Sequence, residues 1–481
     1  MFLSRSFAFA GPSFGKGTGT TALSISNARL RRALWTAATC SHPDLATALS
    51  RCFPASDPSI STPTDTKNSV TIVLASRSYP GNDLLDLPAK LPAHIAQSSI
   101  ILGAVVDRVP THSGHGVSTL TLTPTSTSAT PSSGRLIACQ PFYLSGAESR
   151  RKRMKEKSVG KWARSQDIEE RSLDTADAWS AFKSISTGRN QVKVPEAVLP
   201  PHPSSASSSS EQGSMQDILM ISDLEVHQFL EALDASNLDA SKVGLLASST
   251  PFITGRPVTM FYDGKVVQDG VLGVSMIKDA TRKDGDDTSR TSVEYPSLAP
   301  LGPAMQITRC RGNIILELDE SNATRLLLDR LQTTTLTKDK EYFLATGDPI
   351  SATGGSDLNI DMTKATVHKI TGGDPSKGNM AVDTVHDLQE GQWVQFIHHD
   401  KDVRQGHYNP LQSNSQASLR FSSTDPNNTI EGISTEPHQQ DAEEPVQAVF
   451  GGSSENGFIM GQPEGQTWVC NVTDSVMKHT F

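Results

Sequence analysis

His398, His399, Asp400 and His407 form the densest group of metal-ligating side chains in the sequence. Neighbouring residues of a strand point to opposite faces, so His398 and His399 would not reach one ion together. The group therefore predicts polar residues at a strand end and no metal site. His112 and His115 flank glycines in a loop and carry the same reading. Ser453, in the run Gly451-Gly452-Ser453-Ser454-Glu455, lacks the second glycine of a GxSxG nucleophile elbow and reads as part of a tight loop. Gly11, Gly15, Lys16, Gly17 and Thr18 imitate a phosphate loop, but the spacing is one residue short. Gly17 also stands where a hydroxyl should hold magnesium. The cysteines (Cys40, Cys52, Cys139, Cys310, Cys470) are odd in number and never in CxxC spacing, which predicts reduced thiols and neither disulfides nor zinc. Asn322, Asn427 and Asn471 begin Asn-x-Thr triplets that, without a secretory signal, read as coincidence. No catalytic residue, metal or cofactor follows from these patterns.

Composition narrows the classes. The 481 residues carry a formal charge of −9 and are 36% hydrophobic. An acidic chain lacks the basic face that phosphate binding needs, which argues against nucleic acid as a partner. No apolar run approaches the ~18 residues of a membrane span. Residues 1–43 contain no Asp or Glu but do contain Arg5, Lys16, Arg29, Arg31 and Arg32. That composition fits a mitochondrial transit peptide or an unstructured terminus, leaving a mitochondrial or a cytoplasmic, in either case intracellular, location.

Residues 242–276 organise the elements. Extended runs surround Asp263-Gly264, a type I′ hairpin signal that places this stretch at the centre of a sheet. Gly270 and Gly273 permit close backbone approach or a bulge. Upstream, 217–221 reads as a buried strand and Ser222-Asp223-Leu224-Glu225 as a capping box opening a helix. Val226, Phe229, Leu230 and Leu233 form the apolar stripe of that helix, and 217–247 makes a strand–helix–strand crossover. Residues 35–53 read as helix, and 70–75, 100–106, 116–122 and 135–143 as strands. Residues 305–310 and 314–318 read as a hairpin through Arg311-Gly312-Asn313, followed by a helix at 323–331. Further strands are expected at 342–345, 365–370, 393–398, 446–450, 457–460 and 467–472. The basic run 150–164 reads as a solvated helix, and 200–213 and 403–445 as disordered insertions.

Residues 242–276 resemble the end of the FIST N-terminal domain, whose pattern leads from a "glas" strand end to a "fydGkvv.dGvvgv" hairpin. Residues 298–318 are similar to the start of the FIST C-terminal domain, through Leu301-Gly302-Pro303, Thr308-Arg309 and 312–318. Residues 374–396 are similar to a later hairpin of that domain, and 35–48, with His42-Pro43-Asp44, to the family's first helix. The resemblance implies a sensory or ligand-binding protein, not an enzyme, that takes small molecules such as amino acids. Animal members carry an F-box and select ubiquitin-ligase substrates. Residues 1–33 are too few and too basic for an F-box bundle, and the serine-rich insertions look more like fungal stand-alone members.

The expectation is an α+β protein of two linked lobes, each a hairpin-rich mixed sheet with packed helices. The domains are 34–278 and 296–481, joined by a linker at 279–295. A cleft of strand ends and glycine loops would bind an amino-acid-like ligand through backbone N–H groups. Candidate residues are Ser248, Ser249 and Gly302, Arg309 or Arg311 as a carboxylate clamp, and Glu455 with Asn456 for an ammonium. A protein-interaction or ubiquitin-linked scaffold is the alternative. The other is an enzyme using Ser453 or a histidine, for which a hydroxyl or thiol within hydrogen-bond reach of an imidazole would speak.

Overall fold

The computed structural model describes residues 35–53, 69–95, 99–111, 113–124, 136–149, 192, 194–200, 214–279, 290–333, 341–351, 358–384, 387–399, 418–425 and 446–480. The phosphate-loop-like residues 11–18, the basic run 150–164, the serine-rich run 201–213, and His112, Asp400 and His407 lie outside them. Among the described helices none is long and apolar enough to cross a membrane.

The first strands are β1 (Trp35–Cys40), β2 (Val70–Ser76), β3 (Ile100–Val106), β4 (Val117–Leu122), β5 (Leu136–Leu144), β6 (Ser214–Ser222) and β7 (Ser241–Leu246). They are followed by β8 (Ser249–Thr250), β9 (Arg256–Val258), β10 (Met260–Tyr262), β11 (Lys265–Val267) and β12 (Val271–Asp279). One sheet has the order β11-β10-β3-β2-β4-β1, with Val446–Gln447 at its far edge. A second runs Trp468–Cys470, Phe458–Gly461, β7, β6, β12, β5. β2 pairs with β3, and β6 with β7, in parallel. Such strands, covered on both faces, read as unbroken apolar runs. In β2, Ile72 and Leu74 enter the central core while Val73 and Ala75 face the helices Leu45–Cys52 and Gly81–Lys90.

The chain does not keep its halves apart. Val446–Gln447 pairs with β1, and Phe458–Gly461 pairs with β7. Between them, Val449–Ser454 lies parallel to Ser418–Ser423 in a third sheet, which also holds Thr291–Glu294 and Val476–His479. A Cβ on Gly452 would stand 3.1 Å from Leu74 and 3.4 Å from both Val106 and Leu245, so this strand lies between the first two sheets. Residues 298–399 supply a fourth sheet. Its own core joins Ile307, Ile315 and Phe396 to Leu327 of the helix Ala323–Thr333. The described residues from Trp35 onward form one compact unit. With strands dominant and no described helix longer than the 11 residues of Ala323–Thr333, the α+β expectation holds only in part.

Four local expectations change. Residues 35–40 are strand, because the ladders offered by β4 and Val446–Gln447 outcompete the helix propensity of Ala37 and Ala38. The helix starts at Leu45, where Asp44 Oδ2 accepts from the Thr47 N–H at 2.8 Å. Ser222 and Glu225 make no capping box. Ser222 ends β6, and Asp223 receives the Glu225 N–H at 2.9 Å and the Gly270 N–H at 2.7 Å. The crossover helix therefore begins later, at His227, with Val226, Phe229, Leu230 and Leu233 buried as expected. The hairpin at Asp263-Gly264 has both φ angles positive (47° and 76°), but it forms a sheet edge and not a centre, while β12 runs into the second sheet. Residues 403–445, read as an insertion, contain the strand Ser418–Ser423. Its alternating Leu419 and Phe421 are buried.

Asp217 on β6 is fully buried, paired with Lys278 of β12, and has His479 Nε2 at 3.9 Å. His479 Nδ1 lies 2.8 Å from Thr291 Oγ1. Burial alone would raise the Asp217 carboxyl, but Lys278 and His479 outweigh it and hold it well below the usual carboxylate range. A depressed folded-state value means stability that is present above the ordinary Asp range and lost as pH falls through and below it. Urea midpoints should therefore fall steeply below about pH 4, in part through Asp217. Asp217→Asn should lose ~3–5 kcal/mol at pH 7, because the buried Lys278 loses the Asp217 charge beside it, and should show a flatter acid limb. Phe421→Ala should cost about 3–5 kcal/mol by the same measurement. A surface-like loss would remove Ser418–Ser423 from the core.

Candidate functional site

In sheets of parallel strands, ligands bind in the crevice outside the carboxyl ends. Here four such ends meet. Arg77 follows β2, Asp107 follows β3, 247–249 follow β7, and Glu455-Asn456 follow Val449–Ser454. Main-chain bonds tie them together. The Arg77 N–H donates to Val106 O at 2.7 Å and the Asp107 N–H to Ser453 O at 2.8 Å. The Ser453 N–H donates to Arg108 O at 2.8 Å, the Ser248 N–H to Val105 O at 3.2 Å and the Leu246 N–H to Gly457 O at 3.1 Å.

The side chains continue this network. Glu455 Oε1 accepts the Ser249 N–H at 2.7 Å and lies 3.7 Å from Arg77 Nη1. Arg77 Nη2 stands 2.8 Å from Asp107 Oδ1, a charge contact without hydrogen-bond alignment, and Arg108 Nε lies 3.7 Å from Asp107 Oδ2. Asn456 Nδ2 donates to Ala247 O at 2.8 Å and reaches Ser249 Oγ at 3.4 Å. Glu455 Oε2 and Ser248 Oγ are buried and have no hydrogen-bond partner. The Glu455 side chain is only 9% exposed, and Ser248 is completely covered. Buried polar atoms are normally paired, so orphaned acceptors that converge on one crevice mark a place where a ligand or water belongs.

Thus the structure brings Ser248, Ser249, Glu455 and Asn456 together. Ser249's N–H, though, is occupied by Glu455 and not left open for a carboxylate. Gly302, Arg309 and Arg311 belong to the fourth sheet or its approach, and no described hydrogen bond or ion pair joins them to this group. Gly302, at φ 88°, gives its carbonyl to Gln395 Nε2 at 2.7 Å, and a Cβ there would collide with the Arg330 guanidinium. Arg309 is 62% exposed against Glu317 at 3.4 Å, and Arg311 is exposed, because both occupy outward positions of Met305–Arg311. Neither forms the clamp. Arg77, Asp107 and Arg108 were missed. They stand one or two residues past apolar runs that the sequence did reveal, and charged residues just beyond such strand ends were the available signal.

Hydroxyl and imidazole groups do meet in this protein. Ser78 Oγ contacts His115 Nδ1, and the His115 ring packs 4.3 Å from that of Tyr79. Burial pushes His115 below its ordinary value, with the His42 carbonyl offsetting part of this. Ser297 Oγ lies 3.2 Å from His399 Nε2, and the Thr291–His479 pair is fully buried. Ser453 lies in a strand, its Oγ directed at Arg108 O at 3.5 Å and not at a histidine. Among the described residues no group of three or more His, Cys, Asp or Glu could hold a metal.

Residues 114–321 match the FIST N domain. This family is associated with small-ligand sensing in signal transduction. The match begins after β3 and runs through 298–318, the stretch that resembles the start of the FIST C-terminal domain. It therefore includes Ser248 and Ser249 but not Arg77, Asp107, Glu455 or Asn456. A comparison with curated proteins finds no match.

Glu455→Ala removes a charged acceptor from the Ser249 N–H and a counter-charge from Arg77. Its expected cost is about 1.5–3 kcal/mol in urea denaturation. Arg309→Ala should stay within about 0.5 kcal/mol.

Proposed function

We propose that this chain is a non-catalytic receptor for a small organic ligand. Its binding site is the crevice between β2, β3, β7 and the end of Val449–Ser454. The observation that carries this reading is the convergence of buried, unpartnered polar atoms at parallel strand ends. The FIST N match supports it with a family association that is independent of the geometry. Residues 296–481 are proposed as the FIST C-terminal counterpart, of the fungal type, on the strength of their sequence patterns. On this reading the carboxyl-terminal part does more than accompany the FIST N domain, since Glu455 and Asn456 complete its strand ends. A mitochondrial or cytoplasmic receptor passing ligand occupancy to a protein partner is consistent with the composition.

A second reading rests on Ser78 and His115. A serine between strand and helix, touching an imidazole, is half of an acyl-transfer site. It is the weaker reading, because no described carboxylate orients His115, and Ser78 is exposed.

Thermal-shift screening of the full chain against amino acids, amines and organic acids tests the receptor. A ligand that binds only the folded state raises the melting temperature with its concentration. The receptor reading expects such a ligand, with its effect reduced in Glu455→Gln. A fluorophosphonate that labels Ser78, with labelling abolished by His115→Gln, would establish the acyl-transfer reading instead.

A further inference from the structure

The crevice's main-chain and amide donors are spent, and most of what it has left is acceptors. Ser249 N–H is held by Glu455, Ser248 N–H by Val105 O, Asn456 Nδ2 by Ala247 O, and Asn456 N–H by Ser454 Oγ at 3.1 Å. Arg77 is divided between Asp107 and Glu455, and Arg108 leans on Asp107. Against this, Glu455 Oε2 is an orphaned carboxylate oxygen, which can only accept. Asp107 Oδ1 has a charge contact but no aligned hydrogen bond, and Ser248 Oγ can accept as readily as donate. A carboxylate entering here would stand beside two carboxylates, with the main-chain N–H groups already taken.

Resting on the receptor reading, we propose that the ligand is a primary organic amine, bound as its ammonium by Glu455 Oε2 and Ser248 Oγ. Arg77 is the protein's own stand-in for that cation. Its guanidinium lies 3.7 Å from Glu455 and is 22% exposed, so it can swing outward and leave Glu455 to the incoming ammonium while Asp107 keeps its charge partner in Arg108. The site therefore prefers a simple amine to an α-amino acid, because the carboxylate of the latter would stand against Glu455 and Asp107. Arg309 and Arg311, the guanidiniums expected to provide one, face solvent on another sheet.

The test is the melting temperature and calorimetric affinity of the full chain with n-butylamine, L-alanine and butyrate at pH 7 and fixed ionic strength. The proposal expects a saturable rise with butylamine, a smaller one with alanine and none with butyrate. Glu455→Gln, which keeps an acceptor for the Ser249 N–H, should weaken butylamine about 10- to 100-fold. Ser248→Ala should weaken it less, and Arg309→Ala should leave it unchanged. Arg77→Gln should strengthen it by removing the competing cation. Stabilisation by butyrate, alanine binding tighter than butylamine, or an equal butylamine effect in Glu455→Gln would overturn the amine. If all three probes fail while another small molecule binds in a Glu455-dependent way, the amine is wrong and the receptor stands. If nothing in the wider screen binds, both fall.

Discussion

The structure depends on a strand that only glycine could make thin enough. Val449–Ser454 passes between the two large sheets, and at Gly451 any Cβ would meet the Arg420 carbonyl. At Gly452 it would press on Leu74, Val106 and Leu245, which belong to both sheets. Because the strand fits, Thr39 Oγ1 can reach Val449 O at 2.9 Å and Ser118 Oγ can receive the Gly451 N–H at 3.0 Å. Its far end then delivers Glu455 and Asn456 to the carboxyl ends of β2, β3 and β7. The crevice is thus a product of packing: segments remote in sequence share one floor because a single narrow strand touches both walls.

Charge is placed with the same economy. Inside the protein, Asp217 has Lys278 and His479, and Lys242 of β7, wholly buried, has Asp234 at 3.2 Å. Burial lowers Lys242 against the pull of Asp234. Asp234 in turn accepts from Thr467 N–H at 2.7 Å and Oγ1 at 2.6 Å. These pairs again join the amino-terminal sheet to late segments. Removing one member would leave a buried charge uncompensated, a larger penalty than the pair's net worth. The crevice differs in that a buried carboxylate oxygen, Glu455 Oε2, is left without a hydrogen-bond partner.

Much of this was legible in the sequence. Unbroken apolar runs located β2 and β3, the Asp263-Gly264 turn was read correctly, and the stripe from Val226 to Leu233 gave the crossover helix. Strand partners were not legible, because pairing is a long-range choice that local propensity does not encode. That is why Ala37 and Ala38 suggested helix and why Leu419 and Phe421 were lost among polar neighbours. Gly451-Gly452-Ser453 was weighed as a nucleophile loop when its glycines answer to sterics. Ser249 and Glu455 were each singled out, yet their bond to each other depends on a topology no spacing reveals. Arg309 and Arg311 failed for a different reason: they share the parity of the buried Met305 and Ile307, but register shifts between Ile307 and Arg309 and between Arg309 and Cys310 break the alternation and leave both exposed.

Native-state hydrogen exchange across Val449–Ser454 addresses this central strand directly. If it is integral to both sheets, its amides should exchange only through the same global opening that exposes β2 and β7, with equal free energies and equal dependence on denaturant. Exchange of this segment through a lower-energy opening, while β2 and β7 stay protected, would contradict the account.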